Sequence, residues 1–325
     1  MTTLLVIALA VAQPAGSMST PRFTPSMTVL LDGRVLVAGG SAPGQSLSSA
    51  EIYDPVTQTF RPTSAPMANV HNSPSAVLLN DGRVMVDGGN FITAPAIEIY
   101  DPASDTFSAP EQPASRHLEA PLLKLPDGRI LLAGGTDSLQ VPTTLVEIFD
   151  PASGHWSRAA DLSIARWAQG EVLFPDGRVL IAGGRGTSEY PDSELYDPAA
   201  GTSTVIQQTF SQPIAVPLAG ARAAVVETAS FWTFDEASAS FTQIIPSLRA
   251  TNQAVTLLSN GFVLLAGGVE PIAGVPQPAI LMVDANLGAL LSGRNIDRGA
   301  NARQRGDSQR WLDVDRWRVR CEQLS

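Results

Sequence analysis

The sequence predicts an all-β chain of six repeats, each a four-stranded antiparallel sheet. Three observations carry this. The first is a recurring phrase, D-G-R, a short apolar run, Gly-Gly, a variable stretch and E-x-(Tyr/Phe)-D-P. It reads DGRVLVAGG…EIYDP from Asp32 and DGRVMVDGG…EIYDP from Asp81, then DGRILLAGG…EIFDP from Asp127 and DGRVLIAGG…ELYDP from Asp176. The second is its period. The closing aspartates, Asp54, Asp101, Asp150, Asp197, Asp235 and Asp284, lie 47, 49, 47, 38 and 49 residues apart. The third is the nature of the runs. RVLVA and RILLA are apolar throughout, as in a strand buried on both faces.

Each element of the repeat has a local reason. D-G between apolar runs is a hairpin signal and suggests a type I′ turn, with both central residues at positive φ. Strand 1 precedes it and strand 2 follows. Gly-Gly then permits a sharp bend and a close backbone approach. A-E-I-Y-D forms strand 3, D-P ends it, and the aromatic Phe60, Phe107, Trp156 or Phe241 lies on strand 4. The fifth repeat is degenerate: it keeps Arg222 and Asp235, but Glu227-Thr228 replaces the diglycine. The sixth reads NGFVLLAGG from Asn260.

The period, the diglycine and the paired aromatics resemble kelch-repeat β-propellers over about residues 17–290. The resemblance implies a six-bladed kelch-type β-propeller with four antiparallel strands per blade. Residues 17–293 form it. Residues 1–16 contain the apolar run LLVIALAVA, which reads as a signal peptide or as the propeller's closing strand. The first reading implies a secreted or periplasmic protein, the second a cytoplasmic one. Residues 294–325 are a charged tail expected to be poorly ordered, with eight basic and five acidic residues.

Composition narrows the partners. Lys and Arg total 21 against 31 Asp and Glu, a net charge of −10, which argues against nucleic acid. LLVIALAVA is too short to span a bilayer. The single Cys321 excludes an internal disulfide framework and a Cys metal cluster. A monomer without cofactor or metal is expected. The resemblance also raises copper radical oxidases. Their chemistry needs a Tyr cross-linked to Cys, but Tyr53, Tyr100 and Tyr196 are repeat residues and Cys321 lies in the tail.

The loop entering strand 1 and the loop after Gly-Gly should share one end of the blades. Alignment backward from D-G places Arg22, Arg116 and Arg249 at one position, with one deletion in repeat 1. His71, His117 and Arg166 occupy the next position, and Trp167 follows. Two readings stand: a cationic ring for an anionic ligand, or donors that satisfy backbone carbonyls. Arg185 and Tyr190 lie on a variable post-diglycine loop, where recognition residues often sit. Glu119, Gln169, Glu171 and Gln253 interrupt apolar strands. The repeated Glu51, Glu98, Glu147 and Glu194 belong to the scaffold, and the Arg of D-G-R should pair with the closing Asp across strands.

Together these features point to a noncatalytic module that binds a protein or an anionic carbohydrate. The alternative is a carbohydrate-active enzyme resembling sialic-acid mutarotases, with Glu119, Glu171 and His117 as its catalytic groups.

Overall fold

In a computed structural model, the described residues are 16–88, 97–187, 189–227, 230–246, 254–259, 261–266, 280–285, 289–292, 311–314 and 317–322. The fold is an all-β, six-bladed β-propeller. The chain divides into two compact units. The unit over Gln13–Gln212 holds four blades. Blade 1 comprises Ser26–Val29, Val35–Ala38, Ala50–Asp54 and Thr59–Pro62. Blade 2 comprises Ser75–Leu78, Val84–Asp87, Glu98–Asp101 and Thr106–Ser108. Blade 3 comprises Leu122–Lys124, Ile130–Ala133, Val146–Asp150 and His155–Arg158. Blade 4 comprises Gly170–Leu173, Val179–Ala182, Asp192–Asp197 and Thr202–Thr209.

The unit that includes Pro213–Ser325 holds the other two. Blade 5 is Ile214–Leu218, Arg222–Glu227, Ser230–Asp235 and Ser240–Ile245. Blade 6 is Ala254–Leu257, Phe262–Ala266, Ile280–Asp284 and Ala289–Ser292. Its sheet continues through Trp317–Glu322 to Trp311–Val314. Every blade pairs its strands antiparallel in chain order. No helix among the described residues is long and apolar enough to cross a membrane.

The core lies between blades, as the unbroken apolar runs require. Leu36, Ala38 and Ile52 of blade 1 pack with Val84, Val86 and Tyr100 of blade 2. Met85 and Ile99 of blade 2 pack with Ile130, Leu132 and Phe149 of blade 3, and Leu131 and Ile148 with Val179, Ile181 and Tyr196 of blade 4. In the other unit, Ala224 and Phe231 of blade 5 pack with Val263, Leu265 and Val283 of blade 6. Strands 3 and 4 add a cross-strand aromatic pair: Tyr53–Phe60, Tyr100–Phe107, Phe149–Trp156 and Phe234–Phe241, with centroids 4.7–5.1 Å apart.

Two expectations about the repeat are corrected. The D-G turn is not type I′. Gly33 N–H donates to Leu30 O and Leu30 N–H to Arg34 O, and of Asp32 and Gly33 only the glycine has positive φ. This is a three-residue loop closed by a left-handed glycine. The Arg of D-G-R pairs inside its own turn rather than across strands. Arg34 Nε donates to Asp32 Oδ2 at 2.8 Å, and Arg83, Arg129 and Arg178 repeat the contact. The closing aspartates instead accept from the backbone of the next turn, Asp54 from Val56 N–H and Asp150 from Ala152 N–H. An aspartate bonding two residues ahead is favoured because it substitutes for a backbone turn contact.

Candidate functional site

Each blade of the four-blade unit carries a buried latch built by its own repeat. Arg22 donates to Gly39 O at 3.0 Å and to Glu51 Oε1 at 2.9 Å. His117 Nδ1 bonds Gly134 O at 2.7 Å and its Nε2 bonds Glu147 Oε2 at 3.0 Å. Arg166 donates to Gly183 O at 2.9 Å and pairs with Glu194. His71 Nε2 bonds Glu98 Oε1 at 3.1 Å. Each glutamate also accepts two successive backbone N–H groups, Ser19 and Thr20, Ala68 and Asn69, Ala114 and Ser115, or Ser163 and Ile164.

Burial pushes the Glu51, Glu98 and Glu147 carboxyls upward, but these hydrogen bonds prevail and hold all three below the usual range. Burial lowers the Arg166 guanidinium, opposed by Glu194.

This geometry revises the alignment. Latch and glycine are 17 residues apart in blades 1, 3 and 4. Arg22 is therefore the counterpart of His117, not of Arg116, and repeat 1 needs no deletion. Arg22, His71, His117 and Arg166 are all buried inside the blades, with side chains at 0% exposure, and His71 Nδ1 is left there without a hydrogen-bond partner. Arg116 is half-buried. Arg249 and Gln253 lie outside the described residues.

The latch also joins blades. Gly40 N–H donates to His71 O at 2.8 Å, and Gly135 N–H to Arg166 O at 2.7 Å. The second glycine of one blade thus grips the latch backbone of the next.

Just past the latch the chain presents two residues per blade. The first forms a short bridge to the post-diglycine loop: Phe23 with Ser41, Leu118 with Thr136, Trp167 with Arg185. The expected common end for these two loops is present. The second residue has positive φ in all four blades: Thr24 at 47°, Ser73 at 48°, Glu119 at 62° and Ala168 at 54°. None is glycine, and such strain is worth a functional question. Neighbouring blades meet here, since Ser73 Oγ donates to Thr24 Oγ1 at 3.0 Å and Ala168 N–H to Glu119 O at 3.1 Å.

Blade 4 concentrates the remaining chemistry. Arg185 lies 5.4 Å from the centre of the Trp167 ring and donates to Gln212 Oε1 at 2.8 Å. A pocket of about 520 Å³ is lined by Arg185, Gly186, Thr187, Glu189 and Tyr190, and Tyr190 is 55% exposed. Desolvation lifts the Glu119 carboxyl above its ordinary value, while Arg185 pulls it down.

Glu171 is pushed up to about 8 by burial, against Gln169 and Arg166. Gln169 Nε2 donates to Ala133 O at 2.7 Å and to Glu171 Oε1 at 3.1 Å. Gln169 Oε1 and Glu171 Oε2 are buried without a hydrogen-bond partner. Of the three groups of the enzyme alternative, Glu119, Glu171 and His117, the last is held within its own blade. Both nitrogens of His117 are engaged with Gly134 and Glu147, leaving neither for a substrate proton.

Asp87 escaped the sequence reading. It stands where the other diglycine blades of this unit carry Ala38, Ala133 and Ala182, and that break in the repeat was its signal. Burial raises its carboxyl against Gly88 N–H and the fields of His117 and His71. The left-handed rim was missed too. Its signal was a fixed offset of two residues after the latch.

The group implied by the copper-oxidase resemblance does not fit. Among the described residues, no three His, Cys, Asp or Glu side chains gather as a metal site. His71 and His117 are each tied to a glutamate.

Comparisons with known proteins agree on the fold. The Kelch motif matches residues 28–67 and 126–163. No curated protein matches the chain. Among solved structures, a fungal alcohol oxidase of the AA5 family in complex with copper aligns with a TM-score of 0.62 at 19% identity. The alignment covers 77% of this chain, which spans 59% of that structure's length. At that identity the likeness concerns the fold. The motif matches, the four-stranded blades and the recurring diglycine together are consistent with a kelch-repeat family.

Proposed function

We propose that this chain is a noncatalytic binding module for a protein or carbohydrate ligand, which it takes on the loop end of blades 3 and 4. The observation that carries the reading is the blade 4 pocket, where an exposed Tyr190 adjoins the stacked Trp167–Arg185 pair. Aromatic faces beside a few fixed polar groups are what ligand pockets are made of. Trp167 and Arg185 are held by two reciprocal backbone hydrogen bonds, of 3.0 and 2.8 Å, so binding orders little more. Kelch propellers commonly bind proteins.

Thermal melting of the full chain against sugars, sugar acids and candidate protein partners tests the reading. A ligand at 100 times its Kd adds about 2.7 kcal/mol to native stability. The shift should vanish in Tyr190→Ala and Trp167→Ala. A shift that survives both would move the site elsewhere.

A further inference from the structure

The sequence suggested a cationic ring for an anionic ligand, yet the latch removes four of its members. Arg22, His71, His117 and Arg166 face Glu51, Glu98, Glu147 and Glu194 inside the blades. What stands outward of the latch is the left-handed rim. Thr24, Ser73 and Glu119 are all exposed there. The Ser73–Thr24 hydrogen bond and the Ala168–Glu119 backbone hydrogen bond join this rim in pairs from blade to blade. Glu119 lies within the field of Arg185, whose guanidinium is stacked on Trp167 and bonded to Gln212.

We infer that this rim binds an uncharged, hydroxyl-rich saccharide through Thr24, Ser73 and Glu119, with Glu119 as the specificity-determining residue that turns away sugar acids. This deepens the binding-module reading and rests on it. A carboxylate accepts from two adjacent sugar hydroxyls, and the Ser and Thr hydroxyls both donate and accept, so the rim matches a polyol on either side of each bond. Hydrogen bonds to a charged acceptor are about twice as strong as neutral ones. A sugar acid would instead bring like charge to Glu119. The aromatic faces of Trp167 and Tyr190 suit the apolar side of a pyranose. The rim is also set in advance: its four strained φ values recur in four blades, so the scaffold imposes them before any ligand arrives.

The test is calorimetric titration of the full chain with four probes: cellohexaose, mannohexaose, an oligogalacturonate hexamer and a chitosan hexamer. One of the two neutral hexamers should bind best. Glu119→Gln should weaken it about tenfold with an unchanged melting temperature, because that side chain is exposed, and Ser73→Ala, which also removes the hydrogen bond to Thr24, should weaken it several-fold. Glu119→Lys should move preference toward oligogalacturonate. Wild-type preference for oligogalacturonate or chitosan overturns the inference, as does neutral binding indifferent to Glu119→Gln. Absence of binding to all four also overturns it. A protein ligand lost in Tyr190→Ala would then leave the binding-module reading standing.

Discussion

Glu171 sits at a position where the other blades are apolar. The strand registers make Met27, Ala76, Leu122, Ala215 and Val255 its counterparts. Its folded pKa of about 8 lies above that of an unfolded glutamate, near 4.3. The folded chain therefore holds a proton that the unfolded chain releases between those values. The associated stability is fully present below the unfolded pKa and is lost as pH rises toward 8, at up to about 1.4 kcal/mol per pH unit. Glu171→Leu should flatten this slope and melt higher than wild type at pH 8. Denaturant titrations at pH 5, 6.5 and 8 measure it; parallel pH profiles for the two proteins would refute it. The latch glutamates act with the opposite sign. The stability from Glu51, Glu98 and Glu147 is present above their unfolded values and lost as pH falls through their depressed folded ones. Arg166→Met should cost about 3–5 kcal/mol, because it strands Glu194 as a buried unpaired charge. Arg129→Met, which breaks an exposed turn pair, should cost no more than about 1 kcal/mol. Urea midpoints of the two variants compare them directly.

At the scale of the element, the diglycine does more than bend the chain. A Cβ on Gly135 would stand 2.6 Å from the carbonyl carbon of His117, at a φ of +82°. Gly177, in the D-G turn, has nothing within 4 Å of its would-be Cβ. Both substitutions to Ala incur left-handed strain of about 1 kcal/mol, but only Gly135→Ala must also push blade 3's latch backbone aside. Gly135→Ala should therefore lower the melting temperature clearly more than Gly177→Ala, and equal losses would show that the close approach is unimportant. Blade 5 shows the same dependence within the sequence. Seventeen residues before Glu227, its substitute for the first glycine, stands Phe210 rather than Arg or His. Trp232 occupies the place of the latch glutamate, three residues before Asp235. Cation, glycine and carboxylate are lost together, as parts of one device would be.

The same device explains what could be read without coordinates. Strands, turns and blades were legible because Gly-Gly and D-G-R recur at a near-constant spacing. The latch was only half legible. Its Arg and His were found, but their Glu partners lie 27–30 residues away, and nothing local distinguishes a buried acceptor from an absent ligand. The turn geometry was misread because D-G fits two hairpin loops, and the choice rests on the φ of Asp32. The rim stayed hidden because left-handed Thr, Ser, Glu and Ala share no side-chain chemistry.

At the scale of the whole molecule, a propeller can match a copper enzyme's fold without gathering a metal-holding cluster among its described residues, since function belongs to the site and not to the scaffold. Copper sites draw on imidazole and thiolate ligands in defined geometry. This chain has three histidines and one cysteine in all. His71 and His117 each bind a glutamate in the cores of blades 2 and 3, so recruiting either would break a latch. His155 stands 73% exposed on an outer strand beside Glu111, open to ions but without a built cage. Copper(II) titrated into the full chain should therefore give only weak binding and leave the melting temperature unchanged. His155→Ala should remove most of that binding, and the latches should be indifferent to the metal. A stoichiometric, stabilising copper site that persists in His155→Ala would mean that the buried histidines can be released from their glutamates. It would return the fold's oxidase relatives to consideration as functional guides.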